Sequence, residues 1–474
     1  MQLPDGIIAV LKQDCPTCVL VDPVLKEIES QGLPVTVYVQ DEPGFPSVSQ
    51  VVDDRSLEHS FRLDIETVPT VIRVAGGREQ GRAVGWARDE WQALTGLADI
   101  GAALPPARPG CGSKSVEPGV AERLALRYGD VSLPARRLDV PPLEDDIEFC
   151  FERGWSDGLP MVPPTEERVY RMLQGTTRAA DEVLGLAPPN HAECTVAKVA
   201  INAVMAGCKP EYLPVVLAAV EAALDPAFCL HGLLATTWFS GPMVIVNGPV
   251  RGAIGMNWAG NVLGQGNRAN LSIGRALQLV VRNVGGGRPC EADQSTFGTP
   301  GKLGFCFAED EATPWTSLAE DRGIGRGRSA VTVFSADGPV GVADQKSRTP
   351  EPLIGSLAGT LRAIDHYKLA NAADVVIVVG PEHGRVFDEA GWSKAEVATA
   401  LHAATRIDGQ DLGMGTDKAA VAARPAAGTL PKFRAGGIHL VRAGGDAGMF
   451  SAIIPGWLMK GSLGTDPVTR EVLS

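Results

Sequence analysis

Residues 6–18 read GIIAVLKQDCPTC. A short apolar run meets two cysteines three positions apart, and the following VLVDPVLKEIESQG spaces its apolar side chains at helical intervals and stops at Gly32. LPVTVYVQD then reads as a second strand, so the first forty residues spell strand, CxxC, helix, strand. This order puts Cys15 at a helix N-terminus, where unsatisfied N–H groups and the positive end of the helix dipole favour thiolate over thiol. Cys18, one helical turn on, is within reach to resolve a mixed disulfide formed at Cys15. A zinc site would want a second CxxC or a histidine pair, and the first hundred residues add only His59. The pair therefore reads as redox-active, with no cofactor beyond the cysteines themselves.

Further on, Thr67-Val68-Pro69-Thr70-Val71-Ile72-Arg73 places a proline at the mouth of a strand, with Gly76-Gly77 as a hairpin turn and GRAVGW as the partner strand. Residues 5–98 thus resemble the thioredoxin-like superfamily. The resemblance implies that the Pro69 loop lies against Cys15 and Cys18 and accepts an extended substrate. Two departures stand out: Asp14 precedes the first cysteine where an aromatic residue is common, and the intervening dipeptide is Pro-Thr. A carboxylate beside Cys15 is expected to work against its thiolate.

Between this module (1–100) and the rest lies PPARPGCGSKSVEPG, residues 105–119, within a Pro/Gly-punctuated connector taken as 101–140. Its lone Cys111 is either a thiol in a plain linker or a third redox position, its thiolate favoured by Arg108 and Lys114.

Residues 141–474 read as a large mixed α/β catalytic domain, in one piece or in two lobes. Helices are expected at CTVAKVAINAVMAGC and PEYLPVVLAAVEAAL, and strands at PMVIVNGP, SAVTVFSA, DVVIVVG and GIHLVRAG. In GQGNRAN, Gly266 and Asn267 open a helix whose N–H groups suit an anion, with Arg268 and Arg275 adding charge. The same stretch also reads as a dinucleotide loop or a structural turn. Cys306 and Glu309 in GFCFAEDE are either nucleophile and acid/base or strand residues filling a core. Glu382 and His383 follow the strand DVVIVVG, at the end where open α/β sheets carry sites, or else they are a helix-start acid and a solvent-facing histidine. Cys229 with His231, and His191 with Cys194, each offer two metal ligands without a completing set.

Composition narrows the function classes. The chain has 474 residues, net charge −13 and scattered Lys/Arg, which disfavours nucleic acid. Nine cysteines, an odd count at low density, suit a reducing compartment. No leader or long apolar run is legible, so a cytoplasmic protein without membrane partner is expected.

Taken together, RPGCGSKSVEPG, GWSDGLPMVPPTEERV, AINAVMAGCKPEYLPVVLAAVEAA, GQGNRAN and IGRALQLVVRNVGGG resemble a family of large bacterial thioredoxin-domain proteins whose C-terminal region is akin to that linked to the UGSC (seleno)protein group. The resemblance implies that Cys111-Gly112-Ser113 correspond to the first three positions of that motif, while Lys114 departs from its last. The resulting expectation is a homo-oligomeric thiol-dependent oxidoreductase. Its catalytic candidates are Cys15, Cys18, Cys111, Cys306 and Glu309, and its substrate-binding candidates are Pro69, Gly266, Asn267, Arg268 and Arg275. It would act on a small molecule and be renewed by a cellular thiol reductant. The alternative is a redox-independent lyase or hydrolase in the C-terminal domain, with the N-terminal module used for docking or dimerisation.

Overall fold

The structure is a computed structural model that describes residues 3–129, 131, 133–141, 144–366, 369–409, 428–457 and 464–473. The chain is mixed α/β and divides into two compact units, Met1–Ser132 and Leu133–Ser474.

In the first unit the apolar run forms strand β1 (Gly6–Leu11), and helix α1 (Pro16–Ser30) follows the first cysteine. Strands β2 (Val35–Val39) and β3 (Gln50–Asp53), helix α2 (Glu58–Arg62), the short β4 (Thr67–Val68), and β5 (Thr70–Ala75) with β6 (Arg78–Val84) come next. The sheet order is β3-β2-β1-β5-β6, with β1, β2 and β3 parallel and β5 and β6 antiparallel. Gly76 and Gly77 close the β5–β6 turn, both at positive φ, a backbone that a two-residue hairpin loop with right-handed strand twist requires. Helix α1 buries Cys18, Val21, Val24, Leu25 and Ile28 on one face, packed with the β1 and β5 side chains.

The rest of the unit departs from the expected connector. After β7 (Trp86–Ala87), helix α3 (Arg88–Thr95) ends where Gly96 turns left-handed. β8 (Ala107–Arg108) pairs with β7, β9 (Cys111–Gly112) pairs with β4, and α4 (Val120–Tyr128) packs beside α2. Residues 101–129 thus belong to the first unit, and the division falls after residue 132 rather than at 100. The physical reason is hydrogen bonding between segments distant in sequence, which composition does not reveal.

The second unit is layered. One sheet runs in the order 306–308, 241–247, 330–336, 468–471, and the other in the order 340–343, 450–455, 373–379, 433–442. Alternation along the strands assigns their faces. Val244 and Val246 join the core under the helices Val196–Ala206, Leu213–Leu224 and Arg268–Asn283, whereas Met243 and Ile245 pack with Val376, Val378 and Ile454 of the other sheet. Val375, Ile377 and Val379 face the helices Pro350–Ala363, Pro381–Glu389 and Lys394–Ala404. The order is helix, sheet, sheet, helix around shared cores, so the unit is layered rather than parted into lobes. Among the described residues no single helix is long and apolar enough to cross a membrane; the bent pair Pro210–Leu224 and Pro226–Ala235 meets the test only jointly.

Candidate functional site

Cys15 caps α1: its Sγ accepts the N–H of Cys18 at 3.4 Å, and Pro16 takes the first helical position, where a missing N–H costs nothing. Across the groove, the Cys15 thiol reaches the Val68 carbonyl at 3.5 Å, beside the cis Val68–Pro69 bond. The third thiol arrives through β9. Antiparallel pairing sets Cys111 opposite Val68 and Gly112 opposite Thr67, and the Cys15 and Cys111 side chains hydrogen-bond to each other.

These contacts separate the three sulfurs chemically. Burial by itself would push the Cys15 thiol up, but hydrogen bonds from Cys111, from the N–H and S–H of Cys18 and from the Thr17 N–H outweigh it and hold the thiol below its ordinary value. Burial pushes Cys18 far up, and the neighbouring Cys15 adds to this. Cys111 is raised, chiefly because it donates to Cys15, with burial second and the charges of Lys12 and Arg108 pulling the other way. The expectation that Arg108 and Lys114 leave Cys111 with a favoured thiolate is therefore corrected: Lys114 is occupied by Asp14 and Asp41, each at 3.6 Å, and the hydrogen bond to Cys15 keeps the proton on Cys111. The Asp14 carboxylate, expected to oppose the Cys15 thiolate, sits between Lys12 at 3.4 Å and Lys114, and the Cys15 thiol is lowered all the same.

The strap that carries Cys111 is tied down along its length. Trp86 Nε1 donates to Pro105 O at 2.7 Å, Thr17 Oγ1 to Pro109 O at 2.7 Å, and the Ser113 N–H to Glu66 O at 2.9 Å. Beyond it, Gln40 Nε2 donates to Ser113 Oγ at 2.6 Å, and Ser115 Oγ to Ile65 O at 2.7 Å. Gly110 makes the close approach possible: a Cβ there would stand 2.5 Å from Thr67 Cγ2 and 2.7 Å from Val68 O. Gly110→Ala should therefore lift β9 off β4 at a cost of about 1–3 kcal/mol. Alkylation of Cys111 should then speed up severalfold, and the Cys15 reactivity profile should move to higher pH as its hydrogen bond weakens. Mass-spectrometric labelling against time and pH reads both effects.

In the second unit the sequence candidates are dispersed. Gly266 has φ 113°, and Asn267 caps the helix Arg268–Asn283 through Asn270 N while donating to Gly255 O at 2.8 Å. Arg268 donates to Gly207 O at 2.9 Å, and Arg275 grips Asp157 at 2.7 and 2.8 Å along with the Leu159 and Pro160 carbonyls. The hydrogen bonds of these side chains hold neighbouring loops of their own unit.

Cys306 lies in the helix-side core with Ala308, its thiol pushed up by burial. Glu309, by contrast, accepts from Asn247 Nδ2 at 2.7 Å and from Leu318 N at 2.8 Å, on the side of the core between the sheets. Strand alternation thus keeps the two apart. Burial raises the Glu309 carboxyl to about 7, against the opposing pull of Lys394 and of these two donors. Among the described residues Asn247 Oδ1 is buried without a hydrogen-bond partner, and Glu311 binds Asn247 Nδ2 at 3.0 Å, Gly248 N at 2.7 Å and Arg251 at 2.9 Å. Glu311, Arg251 and Trp315 line a cavity of about 410 Å³ beyond the carboxyl ends of the strands Gly241–Asn247 and Cys306–Ala308. Asn247 and Glu311 were missed because neither sits in a motif; the signal was their place after apolar strands.

His383 is buried, with Nδ1 2.8 Å from Ser451 Oγ and Nε2 3.2 Å from Asp344 O, so the solvent-facing alternative does not hold. The His191 and His231 rings meet at 5.8 Å between centroids, while Cys194 is buried and pushed up to about 12. Among the described residues no group of three His, Cys, Asp or Glu is placed to hold a metal ion.

No protein-family model, curated protein or solved structure matches the chain.

Proposed function

We propose that the protein is a thiol-dependent oxidoreductase in which a thioredoxin-like unit, residues 1–132, supplies electrons or a thiol adduct for chemistry in the second unit. The carrying observation is the lowered Cys15 thiol at the start of α1, with Cys18 one turn behind it and Cys111 hydrogen-bonded in front. A sulfur of this kind carries more thiolate at a given pH than an ordinary cysteine, and thiolate is the reacting form. The order β3-β2-β1-β5-β6 and the position of Pro69 next to Cys15 support the thioredoxin-like reading. Tethering to the second unit makes delivery intramolecular, at millimolar effective concentration for a short linker.

The test uses the full chain, reduced and then given a low-molecular-weight disulfide. The expected product is one intramolecular disulfide per chain within residues 15, 18 and 111, located by peptide mapping, with release of two equivalents of small thiol. A chain whose three thiols stay reduced while the free disulfide persists would remove this reading.

A second reading, a redox-independent lyase or hydrolase in residues 133–474, is favoured by one observation: the Glu309 carboxyl, raised to about 7, is held by Asn247, which also binds Glu311 of the 410 Å³ cavity. A carboxyl titrating near neutrality suits general acid/base work.

A further inference from the structure

The CxxC sulfurs are the obvious place for a substrate to bind, yet neither can be touched from outside. Cys15 and Cys18 are both 0% exposed, whereas Cys111 is only partly covered. The backbone edge beside them is also in use. Thr67 and Val68 are paired with Gly112 and Cys111, Glu66 O accepts from Ser113 N, Pro69 O accepts from Gly85 N, and Pro69 has no N–H to offer. An extended peptide approaching this edge would have to break the β4–β9 pairing and the Thr17–Pro109 hydrogen bond behind it. It would gain only the hydrogen bonds it displaced.

We propose that Cys111 is the sulfur that meets the substrate, and that the substrate is a low-molecular-weight disulfide rather than a peptide. The proposal rests on the thiol-exchange reading above and changes its order of events. Cys111 donates to Cys15 across their hydrogen bond, so the pair, once it has lost one proton, shares the other. When that proton resides on Cys15, the Cys111 thiolate attacks the external disulfide RSSR; its S–S bond breaks, RS⁻ leaves, and Cys111 carries the SR group. The departing thiolate takes the proton from Cys15. The Cys15 thiolate, already at contact distance, then attacks the Cys111 sulfur; the mixed disulfide breaks, a second RS⁻ leaves, and a Cys15–Cys111 disulfide remains. In sum, one RSSR and a thiol–thiolate pair give one protein disulfide, one RSH and one RS⁻, a two-electron oxidation of the protein. A cellular thiol reductant reverses it. Lys12 and Arg108, whose charges favour the Cys111 thiolate, assist the first attack. Cys18, the most firmly protonated of the three, is the last sulfur to take part.

The experiment uses the full chain with glutathione disulfide as the small probe and insulin as the peptide probe. In Cys15→Ser, one glutathionyl group should accumulate on Cys111, because nothing resolves it. In Cys111→Ser, oxidation of the remaining pair should slow by about tenfold or more, with no adduct on Cys15. The wild-type chain should end with peptides 15 and 111 linked and should oxidise faster with glutathione disulfide than with insulin. Gly110→Ala separates a reacting role for Cys111 from a structural one. If Cys111 merely shields Cys15, lifting the strap should speed oxidation and link peptides 15 and 18; if Cys111 reacts, the product should still be peptides 15 and 111 linked. Oxidation of Cys111→Ser at the wild-type rate, or preference for insulin, overturns this proposal while leaving thiol exchange intact. Failure of the wild-type chain to form any of the three disulfides overturns the exchange reading itself.

Discussion

Cys15→Ser should lower turnover of a small disulfide by the full chain by roughly a hundredfold or more, whereas Cys18→Ser should lower it by no more than about tenfold. The asymmetry follows from which sulfur is ionised. Cys15 receives hydrogen bonds from Cys111, Cys18 and Thr17 that offset its burial, and a serine hydroxyl at the same place can neither ionise in that range nor form a disulfide. Cys18 is buried against Leu25 and Val21, with its thiol raised, so its removal leaves the reacting pair in place. The pH dependence has a definite sign. Because the Cys15 thiol is lowered, the rate should reach half its plateau at lower pH than for an unperturbed thiol. Replacing Cys111 by alanine removes the hydrogen bond that Cys15 accepts, so the residual rate should inflect at higher pH than in the wild type. Rates followed by absorbance between about pH 5 and pH 9 decide the matter. An unshifted profile in Cys111→Ala would mean that the donors of Cys18 and Thr17 hold the thiolate without Cys111.

What the sequence made legible follows the range of the forces involved. Apolar runs such as GIIAVL, PMVIVNGP and DVVIVVG became strands, and AINAVMAG and LPVVLAAVEAAL became helices, because their periodicity is set within a few residues. Gly76-Gly77 and the proline after Val68 were readable for the same reason. The strap at 105–116 was not. Its order comes from β4, Gln40, Thr17 and Trp86, all distant in sequence, and a Pro/Gly-rich stretch looks alike whether it is solvated or stitched to a sheet edge. Charge misled in a similar way. Arg275 reads as an anion ligand until Asp157, 118 positions away, is seen to hold it. Cys306 and Glu309 look adjacent in GFCFAEDE, but three positions along a strand end put them on opposite faces.

Glu309→Gln should stabilise the protein at pH 8 by on the order of 2 kcal/mol and change it little at pH 5. Burial is the largest influence on this carboxyl and raises it to about 7; the Lys394 charge, the Leu318 N–H and Asn247 pull it down only in part, and Glu311 adds to the rise. An unfolded glutamate titrates near 4.3, so between that value and about 7 the folded chain holds a proton that the unfolded chain has released. The contribution of Glu309 to stability is therefore complete below about pH 4.3 and is lost as the pH rises through 7. Above that, folding carries the cost of an ionised carboxylate in the core between the sheets. Glutamine keeps an oxygen to accept from Asn247 Nδ2 and Leu318 N, and it removes that charge. Denaturant titration of both proteins at pH 5 and pH 8 measures the difference directly. A variant less stable at pH 8 would mean that the carboxylate is ionised and anchored by its donors. A carboxyl of that kind has no proton to give at neutral pH, and the acid/base reading of the second unit would lose the one group that supports it.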